Sequence, residues 1–409
     1  MFTENRVSTS LFTSSTRASR RFFLGAMTFG AAALTAVRAF ALSGDGHAAG
    51  YDVAPSSEFM PLVPRKSGDA VVFSKSLDKA PIKATSGGWA REITARGLPI
   101  ATSIAGAHLY LNPGGSREMH WHNSAEWAFV LGGRCQVTIV DPAGETEVVN
   151  YAPGDLWYFP KGHGHAIATL GAEPFHAVLT FDDGLYSEDG TFGISDWMSR
   201  LDPKSLELAL GMANGGLSKI PTGETYIMQG DVIPLDSPAA RAEKVLPPAR
   251  PHRYRLLAQP AHASTEGGAI HIASASEFPI SSTMTAMFLK LKAGAVQQPH
   301  WHVNANEWQY VIKGRNRVTL FATDKRMAVA ELGPGDCAYL PRGCGHTIEN
   351  IGDGDSETVG VWDSGTFSES TLADWLAHAP RHILANNFGM PESTVPQFGK
   401  RPLIVAAAR

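Results

Sequence analysis

His120, His122, Glu126 and His165 are the residues whose types and spacing could do chemistry. In Met119-His120-Trp121-His122 the two histidines point to one face of a strand, because strand side chains alternate. Glu126 follows after three small or polar residues that can turn the chain. His165 closes the run Phe159-Pro160-Lys161-Gly162-His163-Gly164-His165. Three imidazoles and one carboxylate suit a divalent ion such as Mn, Fe, Ni or Zn, with no thiolate to favour soft metals. One His-x-His pair alone would be unremarkable, but here the whole pattern recurs as His300, His302, Glu307 and His346. The offset is 180 residues from His120 to His300 and 181 from Glu126 to Glu307 and from His165 to His346. One residue is inserted before the second glutamate and the register then holds, which marks a duplicated domain rather than a solenoid repeat.

The elements that must position these donors are short and strand-like. Ala107-His108-Leu109-Tyr110-Leu111, Trp127 to Leu131, Cys135 to Val140, Asp155 to Phe159 and His176 to Thr180 alternate or run apolar between Gly, Pro and Asn breaks. The second half repeats them at Ala269 to Ile272, Met284 to Leu291, Trp308 to Ile312 and Arg317 to Phe321. Many short strands at near-regular spacing predict an all-β sandwich or barrel. Pro153-Gly154 predicts a type II turn, and Pro334-Gly335 matches it in the second repeat at an offset of 181. A helical stretch is expected from Asp196 to Met212, with Ser195 as its cap, and a second opens at Asp374. The proline-rich stretch from Gly215 to Gln259 reads as a connector, with a boundary near residue 240. Trp121, Trp127, Trp301 and Trp308 read as packing residues around the barrels.

With 409 residues, 44% hydrophobic and 18% charged, the chain can bury two substantial cores. A net charge of -4 without a Lys/Arg cluster beyond the amino terminus argues against a nucleic-acid partner. Residues 1–41 read as a leader. Ser19-Arg20-Arg21-Phe22-Phe23-Leu24 resembles the twin-arginine export motif, an apolar run too short to span a membrane follows, and Ala39-Phe40-Ala41 offers a cleavage site. The expected organisation is a leader at 1–41, a first domain at 42–240 and a second at 241–409, in the periplasm or secreted, with no membrane association after processing. Of the three cysteines, Cys135, Cys337 and Cys344, none is expected in a structural disulfide.

These motifs resemble the cupin superfamily, and within it the two-domain oxalate decarboxylases, from about residue 87 to the end. The resemblance rests on Arg117-x-x-His120-Trp121-His122, Asp155-Leu156-Trp157-Tyr158-Phe159-Pro160, Phe181-Asp182-Asp183-Gly184 and His300-Trp301-His302 through Tyr310. It implies two tandem jelly-roll barrels, each followed by a short helical segment. It also implies two Mn ions, one on His120, His122, Glu126 and His165 and one on His300, His302, Glu307 and His346. Arg117 would bind oxalate. It stands three residues before His120, an odd step, so a local bend must turn it inward. Tyr186-Ser187-Glu188-Asp189-Gly190-Thr191 resembles the family's Ser-Glu-Asn-Ser-Thr lid, departing from it at Asp189 and Gly190, and makes Glu188 the proton-transferring residue.

The second repeat has a lid-like Phe367-Ser368-Glu369-Ser370-Thr371, so Glu369 is a further catalytic candidate. Gln297 stands where Arg117 would be, however, and Gly360 where relatives carry a glutamate. The resemblance implies decarboxylation of oxalate to formate and CO2, with O2 as co-reactant, in a trimer-based homo-oligomer. The rival readings are an oxalate oxidase releasing H2O2 and a non-catalytic manganese-holding protein.

Overall fold

In the computed structural model, which describes residues 71–217, 223–247, 250–323 and 326–407, each repeat forms a β-barrel of two antiparallel sheets. The expected leader and the arm at 42–70 lie outside the described residues. One sheet of the first barrel runs Phe192–Gly193, Gly115–Trp121, Gly164–Leu170, Arg134–Val140, Thr146–Tyr151. The other contains Leu156–Phe159, Glu126–Gly132, Phe175–Phe181, Ala105–Leu111 and Gly88–Ile93. The second barrel repeats the plan with Val296–Trp301 and Gly345–Asn350 in one sheet and Glu307–Lys313 and Ser356–Trp362 in the other. Gly154 and Gly335 adopt φ of 88° and 86°. The amides of Asp155 and Asp336 close those turns onto Ala152 and Gly333, as the Pro-Gly pairs predict.

Burial explains the two textures of the strands. In Arg134–Val140 only Cys135, Val137 and Ile139 are buried, one face of the strand. Leu156–Phe159 and Glu126 to Val130 are buried at every position. Ala128, Val130, Trp157 and Phe159 fill the first barrel. Trp127, Phe129, Leu156 and Tyr158 face the other way and share a core with Phe288, Trp308 and Tyr310 of the second barrel. A sheet covered on both faces carries unbroken apolar runs. Trp308 lies so close to Gly106 that a Cβ there would sit 2.1 Å from an indole carbon. Trp127 and Trp308 are fully buried, and truncating either to alanine would cost roughly 3–5 kcal/mol.

The contact between barrels is pseudo-symmetric. Tyr158 Oη and Thr283 Oγ1 are 2.7 Å apart, and Thr283 donates to Asp182. The equivalent Tyr339 Oη and Ser103 Oγ are 2.8 Å apart, with Ser103 donating to Asp363. Terminal strands are exchanged: Ser74–Ser76 pairs with Asp336–Leu340 of the second barrel, and Arg253–Tyr254 pairs with Leu156–Phe159 of the first. The connector therefore serves the first barrel well past residue 240. Lys244 bridges to Val148, and Ile227–Gln229 pairs along Gly115 to Arg117.

Two other expectations change. The stretch from Asp196 splits into helices Ile194–Ser199 and Pro203–Ala209, because Pro203 restarts the helix with Asp202 as its cap. Ser195 caps neither helix and its hydroxyl donates to Glu118. Trp121 and Trp301 lie on the outer face, where Trp121 meets Phe192 and Trp197, and Trp301 meets Trp375. The cysteines are buried and unpaired.

Candidate metal centre

His120 and His165 are direct cross-strand neighbours in one sheet of the first barrel. Glu126 opens a strand of the opposite sheet, and His122 lies on the turn joining the two. A jelly-roll closing on itself thus brings donors from both sheets to one interior point. The donor atoms of the four residues lie within 4.8 Å of one another, as do those of His300, His302, Glu307 and His346 in the second barrel, and all eight residues are buried. His163 and Cys344 belong to neither group.

Each imidazole is set by a backbone carbonyl. Nδ1 of His120, His122 and His165 lies 2.7, 2.6 and 3.0 Å from the carbonyls of Glu118, Ser124 and His163. Nδ1–H donated outward leaves the Nε2 lone pair directed at the centre. Burial, with Arg117 and the neighbouring histidines, holds the His120 imidazole well below its ordinary value and so neutral. Burial works to raise Glu126, but the imidazoles of His122 and His165, whose Nε2 atoms lie 3.1 and 3.3 Å from its Oε2, outweigh it and hold the carboxyl well below its usual range. Nε2 of His165, His302 and His346 and Oε2 of Glu307 are enclosed without a hydrogen-bond partner. Buried lone pairs left facing one another are costly unless a cation shares them, so both sets fit a divalent ion.

The glutamates are oriented from complementary positions. Trp157 Nε1 donates to Glu126 Oε1 at 2.9 Å, and Gln309 Nε2 donates to Glu307 Oε1 at 2.5 Å. Trp157 pairs with Ala128 across the strands, and Gln309 pairs with Ala338. Each barrel thus supplies one donor and one alanine, on opposite strands. Asp182 accepts from the Ala125 amide at 2.8 Å, and Asp363 from Asn306 at 2.7 Å, holding the turn before each glutamate.

Arg117 does turn inward. Three residues from Arg117 to His120 match only two, Ile167 to His165, on the partner strand. This bulge puts arginine and histidine on the same face. The second barrel has the same bulge between Gln297 and His300. Arg117 is 3% exposed. Its Nη2 donates to Glu188 Oε2 at 3.3 Å and Thr191 Oγ1 at 3.0 Å, and its Nη1 to the Tyr226 carbonyl at 3.2 Å. Glu188 sits on a single 3-10 turn, Glu188–Gly190, folded over the site, with its side chain 12% exposed. Tyr186 Oη donates to Glu188 Oε1 at 3.1 Å. Glu92 accepts from the Ser187 hydroxyl and the Glu188 amide at 3.1 and 2.8 Å. A cavity of about 500 Å³ beside this segment is lined by Arg96, His122, Ser124, Tyr186, Ser187 and Asp189.

Tyr226, Glu92 and Glu118 are not among the residues the motifs single out. Tyr226 comes from the connector, at φ 55°, and the Arg117 guanidinium stacks 4.4 Å from its ring centre. Glu118, buried, accepts from the Tyr226 amide at 2.9 Å. Of the three, Glu118 alone had a signal, since the odd step from Arg117 to His120 implies a bulge there and both Arg117 and Glu118 are buried.

The second site differs. Gln297 is buried with Nε2 3.3 Å from His300 Nε2. At Gly360 a Cβ would meet the Met287 methyl at 2.5 Å, so methionine fills the space a longer side chain would use. Glu369 turns inward, 3.7 Å from His300 Nε2. Burial, then the Glu307 carboxylate, push its carboxyl up to about 7, with His346 pulling the other way.

A cupin family model matches residues 74–215 and again 254–395. Oxalate decarboxylase OxdC of Bacillus subtilis is 36% identical, over 78% of this chain and 83% of that one. A probable oxalate decarboxylase of Arthroderma benhamiae is 28% identical over 80% of this chain and 81% of its own. Among solved structures, an OxdC variant superposes with a TM-score of 0.77 at 32% identity, covering 84% of this chain and 92% of that chain. Another, at TM-score 0.76 and 32% identity over the same shares, concerns the Mn(II) centres of the Bacillus enzyme.

Proposed function

This chain is an enzyme of the cupin family, a bicupin of the oxalate decarboxylase group, and from that premise we propose that its first barrel converts oxalate to formate and CO2 on manganese. His120, His122, Glu126 and His165 would hold the ion, and a second would lie on His300, His302, Glu307 and His346. Bound there, manganese supplies Lewis acidity and, with O2 as co-reactant, a one-electron couple. Arg117 binds a carboxylate of the substrate, its fork freed when oxalate displaces Glu188 Oε2. Glu188 takes the proton of hydrogen oxalate. As the carbon–carbon bond breaks and CO2 leaves, it returns that proton to the remaining carbon. The balance closes: hydrogen oxalate yields formate and CO2 with no net oxidant consumed. Tyr186 and Glu92 hold the lid so that this proton stays with Glu188 rather than passing to water.

The observation that carries this reading is the enclosed contact of Glu188 with Arg117 over the first donor set, which has no counterpart at Gln297. The test is formate and peroxide measured together on Mn-loaded protein given oxalate. Glu188→Gln should lose roughly 10²-fold or more of formate production. Formate at the parental rate would exclude the role of Glu188, and peroxide in place of formate from the parent would make the chain an oxidase. We also propose export by the twin-arginine route, to be tested with Arg20→Lys/Arg21→Lys. Association into trimer-based oligomers is supported by exposed Trp197, Leu208 and Trp375 on the helical tails.

A further inference from the structure

We infer that Glu369 is a fifth protein donor to the ion of the second barrel, making that site a closed, charge-balanced holding site rather than a second place where oxalate reacts. This rests on the reading that both barrels bind a divalent ion.

The two lids place a glutamate alike but treat it differently. Glu188 has two side-chain partners, the Arg117 guanidinium and the Tyr186 hydroxyl. At Glu369 both are gone, since Gln297 stands for Arg117 and Phe367 for Tyr186. Its side chain is 9% exposed, its Oε2 has no hydrogen-bond partner, and that oxygen lies 3.7 Å from the inward Nε2 of His300. A buried carboxylate without a donor or a cation is expensive, and an ion on the neighbouring donor set would compensate it.

The loop carrying Glu369 is also built into the site. His302 Nδ1 lies 3.1 Å from the Ser368 carbonyl, so the residue before Glu369 orients a metal-site imidazole. In the first barrel that task falls to Ser124, outside the lid. Asn304 Nδ2 donates to the Thr366 carbonyl at 2.8 Å, tying down the start of the same loop. A segment anchored to the donor set is poorly suited to opening for substrate.

Charge points the same way. At the first site a divalent ion is joined by the Arg117 guanidinium, which offers an anion a partner once Glu188 moves aside, with Glu118 4.0 Å away on its other side. The same ion with Glu307 and Glu369 comes to a net charge of about zero, with five protein donors leaving one octahedral position.

The experiment uses full-length protein loaded with manganese. Electron paramagnetic resonance should resolve two ions per chain, and formate should perturb one signal alone. On adding EDTA, one ion should leave at least tenfold more slowly than the other. In Glu369→Gln the slow ion should accelerate about tenfold or more, and its signal should become formate-sensitive. In Glu188→Gln the slow ion should be unaffected. An unchanged slow phase in Glu369→Gln, or one ion per chain, would overturn the inference. If that variant fails to fold, the parent decides, because two formate-sensitive signals also overturn it. Loss of oxalate turnover with both signals intact would defeat the catalytic reading alone.

Discussion

Trp157 and Gln309 perform one task from opposite sides of a strand pair, each donating to the glutamate of its own donor set. Where the tryptophan stands the other barrel has Ala338, and where the glutamine stands it has Ala128. Indole and amide differ greatly in volume, so each barrel accommodates its donor by making the neighbour small. Trp157→Phe keeps an aromatic ring, though a smaller one, and removes the N–H, leaving Glu126 Oε1 short of a donor. Manganese affinity of the first site should fall about 10- to 100-fold while the second keeps its own, read by metal titration with resolved resonance signals. Arg117 is the other residue-scale test. Arg117→Lys keeps the charge but not the fork shared by Glu188, Thr191 and the Tyr226 carbonyl, so KM for oxalate should rise more than about tenfold while manganese content stays at two per chain.

Among the elements, the lid depends most on its latch. Glu92 lies on Gly88–Ile93 and accepts from both Ser187 and Glu188, while Lys83 on the adjoining strand Ile82–Thr85 pairs with exposed Asp189 at 2.8 Å. The exposed ion pair contributes little, whereas the Glu92 bonds are partly buried and charge-assisted. Burial raises the Glu92 carboxyl above its usual value, the Glu188 amide lowering it and the Glu188 charge raising it again. Glu92→Ala should release about 1–2 kcal/mol of closure, roughly a tenfold loss of closed lid, seen as peroxide rising relative to formate per oxalate consumed. An unaltered ratio would remove Glu92 from the latch. Lys83→Ala should change the ratio much less.

The whole molecule depends on two barrels meeting face to face, and a titratable group lies in that seam. His108 on the first barrel packs against Tyr310 of the second, ring centres 6.3 Å apart, and lies 3.7 Å from Asp78. Burial, with His176, pushes its imidazole down to about 4, Asp78 acting in the opposite direction and Arg91 adding to the depression. The unfolded chain therefore binds the proton more readily, and stability is fully present above about pH 6.5 and lost as pH falls towards 4. This group accounts for about 3 kcal/mol at most. His108→Phe should flatten the decline of Tm between those pH values, and an identical decline in the variant would mean the seam does not sense pH. Exchange of Ser74–Ser76 and Arg253–Tyr254 between barrels adds a second bond across the seam, so the halves should unfold in a single transition.

The sequence by itself determined both donor sets, the duplication and the strand pattern, while Glu188 came from the resemblance of its segment to a lid and its inward placement from the structure. The first three follow from local chemistry: a His-x-His pair must share a strand face, and Pro-Gly must turn. It also carried the asymmetry of Arg117 against Gln297. Only the tertiary structure decided what reaches those residues from elsewhere in the chain. The bulge brings Arg117 inward, the connector returns Tyr226 beneath it, terminal strands cross between barrels, and Ser368 orients His302. None of these has a periodic or compositional mark, because each is a pairing between segments far apart in the chain, and such pairings are selected by the packing of the whole molecule rather than by local propensity.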